Sequence, residues 1–227
     1  MDILIIRDLM GGMIAGERHR SHGLYGDEAS DLEYYTEDMI RHSADFAFRA
    51  AKRRKRKLAS VDKANILYSG KLWRQTVSDV GIQFPEVHLT HHYVDNAAME
   101  LLVRPSEFDV VLASNVFGDI LADKISQISG TPWLFGSAEL AMDGRGVYTP
   151  NQLHHPNGMQ CPYGIIDATS LLLRYSCGRN DLADAIDLAV KRAISKKLFT
   201  SESAPQGSTV CTTDELGDYV AREILTL

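Results

Sequence analysis

FDVVLASNVFGDILAD, residues Phe108 to Asp123, reads as a buried strand running straight into a helix. Phe108–Ala113 is a short apolar run rich in β-branched residues, and from Phe117 to Ile128 the apolar positions recur at helical spacing. The same couplet repeats on both sides. Upstream, Asp2–Ile6, Lys57–Val61 and Val87–Val94 read as strands. Helices are predicted from Thr36 to about Arg54, from a cap at Ser69 and over Asn96–Val103. Downstream, Pro162 is placed as the first helical residue before Ile165–Tyr175, Asp181–Lys197 forms the next helix, and Thr212 with Glu215 suits a capping box. Gly16–Glu33 is polar and glycine-bearing, and reads as a loop or protruding arm. Strands alternating with helices specify an α/β chain with a largely parallel sheet.

Composition narrows the function. The chain has 227 residues, 44% hydrophobic and 24% charged, with a net charge of -6. That balance excludes a nucleic-acid partner, and no apolar run is long enough to span a bilayer. The basic run Lys52–Lys57 closes a predicted helix, where the macrodipole favours cations, and reads as solvated. Three cysteines, Cys161, Cys177 and Cys211, are scattered without zinc spacing and fit a reducing cytoplasm. No leader or linker is evident, so the chain reads as one domain, 1–227, with its arm at about 16–33.

The chemistry-bearing residues sit where strands end. Asp119 and Asp123 are four apart and share a helix face, with Gly118 before them where backbone passes close. Asp95 follows a strand. Three converging carboxylates suit magnesium or manganese; taken singly, Asp95 reads equally as a helix cap, and the other two as a solvated face. Lys63 ends a strand and could relay a proton, or lie on the surface. Arg7 could clamp a carboxylate with its planar fork, or pair with Asp8 or another surface acid.

Four segments resemble the 3-isopropylmalate dehydrogenases, within the isocitrate/isopropylmalate dehydrogenase family: IIRDLMGG (Ile5–Gly12), SVDKANIL (Ser60–Leu67), YVDNAAME (Tyr93–Glu100) and NVFGDILAD (Asn115–Asp123). LLLRYS (Leu171–Ser176) fits as well. The resemblance implies the family's three-layer α/β sandwich, here without its N-terminal strands, and a homodimer clasped by the arm. It implies that Arg7 binds a substrate carboxylate and that Lys63 relays a proton. Asp119 and Asp123 would hold Mg2+ or Mn2+ together with Asp95, and Lys63 and Asp95 would reach the site from the neighbouring subunit. The substrate would be a small 2-hydroxy or 2-oxo acid.

The chain also departs from the family pattern. Met1 stands almost on the arginine strand, where relatives carry about a further domain's worth of chain. The sheet edge so exposed calls for a further partner chain or rebuilt packing. After Val147–Pro150, a loop that grips NAD in the family is replaced by NQLHHPNGMQC. His154 and His155 there are either a polar filling of that cleft, the favoured reading, or a new acid–base or metal pair. Ile14 occupies the place of the family's tyrosine, and Tyr25, Tyr34 and Tyr35 are the candidates to compensate. These departures point to an NAD-independent, metal-dependent decarboxylase or lyase acting on a 2-oxo or 3-oxo acid. The competing expectations are a non-catalytic or complementing subunit, and an NAD-dependent oxidoreductase completed by a separate N-terminal chain.

Overall fold

A computed structural model describes residues 2–128, 132–151 and 161–227. The chain divides into two compact units, residues 1–125 and 126–227. The sequence reading had one domain with an arm. The boundary falls inside a continuous helix with no shift in composition, so no linker signal marks it.

The first unit is built on a parallel sheet. In chain order its elements are β1 (Leu4–Arg7), the hairpin β2 (Arg18–Gly23) and β3 (Gly26–Asp31), α1 (Glu37–Lys52), β4 (Lys57–Asp62), α2 (Tyr68–Gly81), β5 (His88–Tyr93), α3 (Val94–Val103), β6 (Val110–Ala113) and α4 (Asn115–Ile128). Four of these strands pair in the order β1-β6-β4-β5, all parallel. Register aligns Arg7 with Ala113, Ala113 with Val61, and Asp62 with Tyr93. The four strands therefore finish level, and the residues just beyond them share one edge.

α1 packs on β4 and β6, and α2 on β4 and β5. Ile40, Ala44, Ala47 and Ala51 line the buried face of α1, against a core containing Phe48, Leu58, Trp73, Val77, Val110 and Leu112. Thr36 caps α1 by accepting from the Met39 N–H at 3.2 Å. Ser69 is no cap: α2 begins at Tyr68 with Leu67 before it and no side-chain cap bond. The predicted arm is an antiparallel hairpin with Arg18 opposite Asp31 and His22 opposite Asp27.

The second unit contains the hairpin β7 (Gly136–Leu140) and β8 (Gly146–Pro150), α5 (Tyr163–Tyr175), α6 (Asn180–Ser195), the pair β9 (Leu198–Phe199) and β10 (Thr209–Val210), and α7 (Thr213–Ile224). Tyr163, Ala189, Ala193, Phe199, Leu216 and Val220 form its core. Pro162 stands one residue before α5 rather than inside it. The capping box of Thr212 and Glu215 is present at α7. His154 and His155 lie outside the described residues. The three cysteines are free, and no helix among the described residues is long and apolar enough to cross a membrane.

Candidate active site at the carboxyl edge of the sheet

Arg7, Lys63, Asp95 and Asp119 lie at or just beyond the carboxyl edge of the four-stranded sheet, where side chains from several strand ends can meet. They form two groups. Arg7 closes β1. Its Nε and Nη2 donate to Asn115 Oδ1 at 3.3 and 2.8 Å, and its Nη1 donates to Asp119 in a short ion pair. Asp123 lies one turn further along α4, exposed like Asp119. Gly118 makes this arrangement possible: a Cβ there would lie 2.9 Å from Arg7 Cβ and Cγ and 3.2 Å from its Cα. The close approach expected at that glycine is therefore an approach to Arg7 itself.

Arg7 does not pair with Asp8. The Asp8 carboxylate is buried and accepts from the Met10 and Gly11 N–H groups at 3.0 and 2.9 Å, shaping the turn that follows β1. Gly12 closes that turn at φ +83°, a conformation costly for a side-chain-bearing residue, and its N–H donates to the Tyr34 carbonyl at 2.8 Å.

The second group follows β4 and β5. Lys63 stands one residue past β4 and donates to Asp95, in the first turn of α3. Asp95 is not the cap of that helix, because Tyr93 holds the cap position. The Lys63 contact keeps the Asp95 carboxyl below the usual aspartate range. Asp62 anchors the turn from the other side, accepting from the Ala64 N–H at 2.9 Å and from the Arg74 guanidinium at 2.8 and 3.0 Å.

Asp95, Asp119 and Asp123 do not converge within one chain. Among the described residues, no three histidine, cysteine, aspartate or glutamate side chains gather as a metal set. Each cation is instead matched to one carboxylate, Arg7 to Asp119 and Lys63 to Asp95.

The tyrosines divide clearly. Ile14 is 57% exposed and brings no acid to the site. Tyr25 is exposed at the hairpin tip, and the Tyr34 backbone bridges to Gly12. Tyr35 is buried, and its hydroxyl accepts from the Asn115 N–H at 3.0 Å. Burial and the nearby acids Asp8 and Glu33 push its phenol well above the usual tyrosine range. Tyr35 therefore holds the start of α4 and is a poor proton donor.

Two side chains went unnamed among the sequence candidates. Asn115 aims Arg7; an asparagine between a strand and a helix is a capping signal, and it stands inside the NVFGDILAD segment. Glu33 follows the hairpin, bonds Ser69 and lines a narrow cavity of about 10 Å³ with Lys63, Tyr35, Trp73 and Ser114. Burial raises its carboxyl above the usual range. Nothing in its local sequence signals this.

Comparison with known proteins agrees with the geometry. The isocitrate/isopropylmalate dehydrogenase family matches residues 1–220. The chain is 42% identical over 229 aligned residues to a 3-isopropylmalate dehydrogenase of Salmonella typhimurium, covering 98% of this chain and 62% of that protein. It is 40% identical to those of Wolinella succinogenes and Escherichia coli K12. The chain thus spans about 62% of the length of these relatives. An isocitrate dehydrogenase from Methylococcus capsulatus superposes with a TM-score of 0.84 at 24% identity, over 97% of this chain and 66% of that one, which establishes the shared fold. By sequence over nearly its whole length, and by fold, the chain belongs to the isocitrate/isopropylmalate dehydrogenase family.

Proposed function

We propose that this chain supplies the carboxylate- and metal-holding part of a site that takes a small carboxylic acid with Mg2+ or Mn2+ and promotes loss of the carboxyl group β to a 2-oxo carbon as CO2, a 2-hydroxy acid first passing its hydride to NAD. The observation that carries this reading is the level edge of the sheet, where the Arg7 fork pairs with exposed Asp119, one helical turn before exposed Asp123. The dehydrogenase names of the relatives support hydride transfer from a hydroxy acid.

The donor set fits a hard divalent cation in kind, because Asp95, Asp119 and Asp123 are exposed carboxylates and such ions take six or more oxygens. It fits in number only between two chains, with Asp119 and Asp123 from one copy and Asp95 from the other. The site is therefore incomplete without a second copy. Held by these carboxylates, a divalent cation would supply Lewis-acid polarisation at the acid's 2-oxygen.

The remaining work falls to the chain's own residues. Arg7 holds a carboxylate of the acid through its two-pronged fork. Lys63 Nζ, once released from Asp95, accepts or returns the proton on the 2-oxygen. Gly118 keeps α4 close enough that acid and cation share one space. Three free thiols agree with a cytoplasmic setting.

A second reading is decarboxylation without NAD, as an altered enzyme or as a partner subunit of a complete dehydrogenase. Ile14 in the tyrosine place favours it. The rewritten loop that also motivated it lies largely outside the described residues, and the relatives' names give it no support. Two calorimetric titrations of the full chain divide these readings. Mn2+ binding together with NAD binding supports the dehydrogenase; Mn2+ without NAD supports the second reading. Absence of Mn2+ binding would defeat the metal site in either form.

A further inference from the structure

The residue that aims Arg7 is a buried amide and carries no charge. Asn115 is 1% exposed. Its Oδ1 accepts two bonds from the guanidinium, and its N–H is held by Tyr35. Its Nδ2 is buried and finds no partner among the described residues. A buried donor left unpaired is a cost that folds normally avoid. An aspartate of the same shape would accept the same two guanidinium bonds with a full charge, but would leave a carboxylate oxygen in the unpartnered place of Nδ2.

The amide can orient a guanidinium without neutralising it. Arg7 already faces one carboxylate, Asp119, whose side chain is 56% exposed and open to exchange. A second carboxylate at position 115 would leave the cluster with a net negative charge and repel an incoming acid.

We propose that Asn115 is a positioning residue, a neutral cradle that keeps the Arg7 fork aimed while the arginine's charge passes from Asp119 to the carboxylate of a bound acid. The proposal rests on the reading of the site given above and deepens it. Once a divalent cation engages Asp119, Arg7 loses its carboxylate but keeps Asn115. The guanidinium stays in place with its charge unspent, so cation and acid bind with favourable coupling. The Arg7–Asp119 pair is partly exposed, which sets that coupling at up to about fivefold.

The test uses the full chain, titrated calorimetrically with succinate, a dicarboxylate lacking the chelating hydroxyl, with and without saturating Mn2+. Wild type should bind succinate about fivefold more tightly with Mn2+ present. Asn115→Asp should still bind Mn2+, yet lose about tenfold in succinate affinity, because its guanidinium stays paired. Should Asn115→Asp fail to fold, Asn115→Ala carries the test, with weaker succinate binding and unchanged Mn2+ affinity expected. Either variant binding succinate as wild type does would overturn the proposal, as would wild-type succinate binding indifferent to Mn2+. Mn2+ binding with no succinate binding in wild type would instead remove the role given to Arg7 in the site reading, and this inference with it.

Discussion

Arg54 and Arg7 each face an aspartate, and the two pairs are built to opposite ends. Arg54, beyond α1 at the amino edge of the sheet, donates to Asp109, whose carboxylate has no exposed surface and also accepts from the Lys55 N–H at 2.7 Å. Arg7, at the carboxyl edge, donates to Asp119, which is 56% exposed. Arg74 with Asp62 repeats the closed form, and Lys63 with Asp95 the open one. A closed pair cannot give up its partner without leaving a charge buried and unmatched. An open pair gains little from the contact and can exchange its partner for a metal or a substrate. The fold thus uses the same chemistry twice, as fastening where the carboxylate is buried and as an open pair where it is exposed.

The contrast breaks most sharply under mutation. Asp109→Asn should cost about 1.5–3 kcal/mol of stability, since it takes a buried charged acceptor from the Lys55 N–H and from Arg54, which keeps only Asp2 as its ion-pair partner. Asp119→Asn should cost at most about 1 kcal/mol. Urea unfolding of both variants compares them directly, and equal losses would dissolve the distinction. Asp119→Asn should nonetheless weaken Mn2+ binding by at least about tenfold, as removal of a ligand or its support does. Asp109→Asn, wherever still folded, should leave Mn2+ affinity unchanged. Calorimetry reads both.

Gly118→Ala sharpens the comparison further. A methyl group there presses on the stem and backbone of Arg7. The strain and the better helix propensity of alanine should nearly offset, leaving stability within about 1 kcal/mol of wild type. Succinate binding should weaken all the same, because the fork is displaced.

The smallest effect concerns Glu33, whose carboxyl burial raises and which has no ion-pair partner among the described residues. The folded state holds this proton more tightly than the unfolded one. Stability from Glu33 is therefore fullest below the ordinary glutamate value of about 4.3 and is lost as pH rises through the higher folded value. Glu33→Gln should be more stable than wild type at pH 7, and the gap should close toward pH 4 in urea midpoints. A gap that widened toward acid would reverse the assigned sign.

Much of the fold was legible because local signals and tertiary packing agree. Thr36 before α1 and Thr212 with Glu215 before α7 cap as their side chains predict. Misreadings occurred where distant contacts decide. α4 starts at Asn115 rather than Phe117 because Tyr35, 80 positions earlier, accepts from the Asn115 N–H. Ser69 turns to Glu33 instead of capping α2. The unit boundary inside α4 leaves no trace in composition. For the site, spacing alone showed that Asp119 and Asp123 share a face. The grouping of Arg7, Lys63 and Asp95 beside them came from the family resemblance. Which cation faces which carboxylate depends on strand order, and strand order is not written in any local segment.

The central claim is that each metal site draws carboxylates from two chains. Asp95→Asn and Asp119→Asn should each damage both sites of the proposed homodimer. Co-expressed and purified as a mixed dimer, they should rebuild one intact site, with Asp119 and Asp123 from the first variant and Asp95 from the second. Calorimetric titration with Mn2+ should then show half of the wild-type stoichiometry at wild-type affinity. A mixed dimer that binds no more tightly than either parent variant would contradict the shared site.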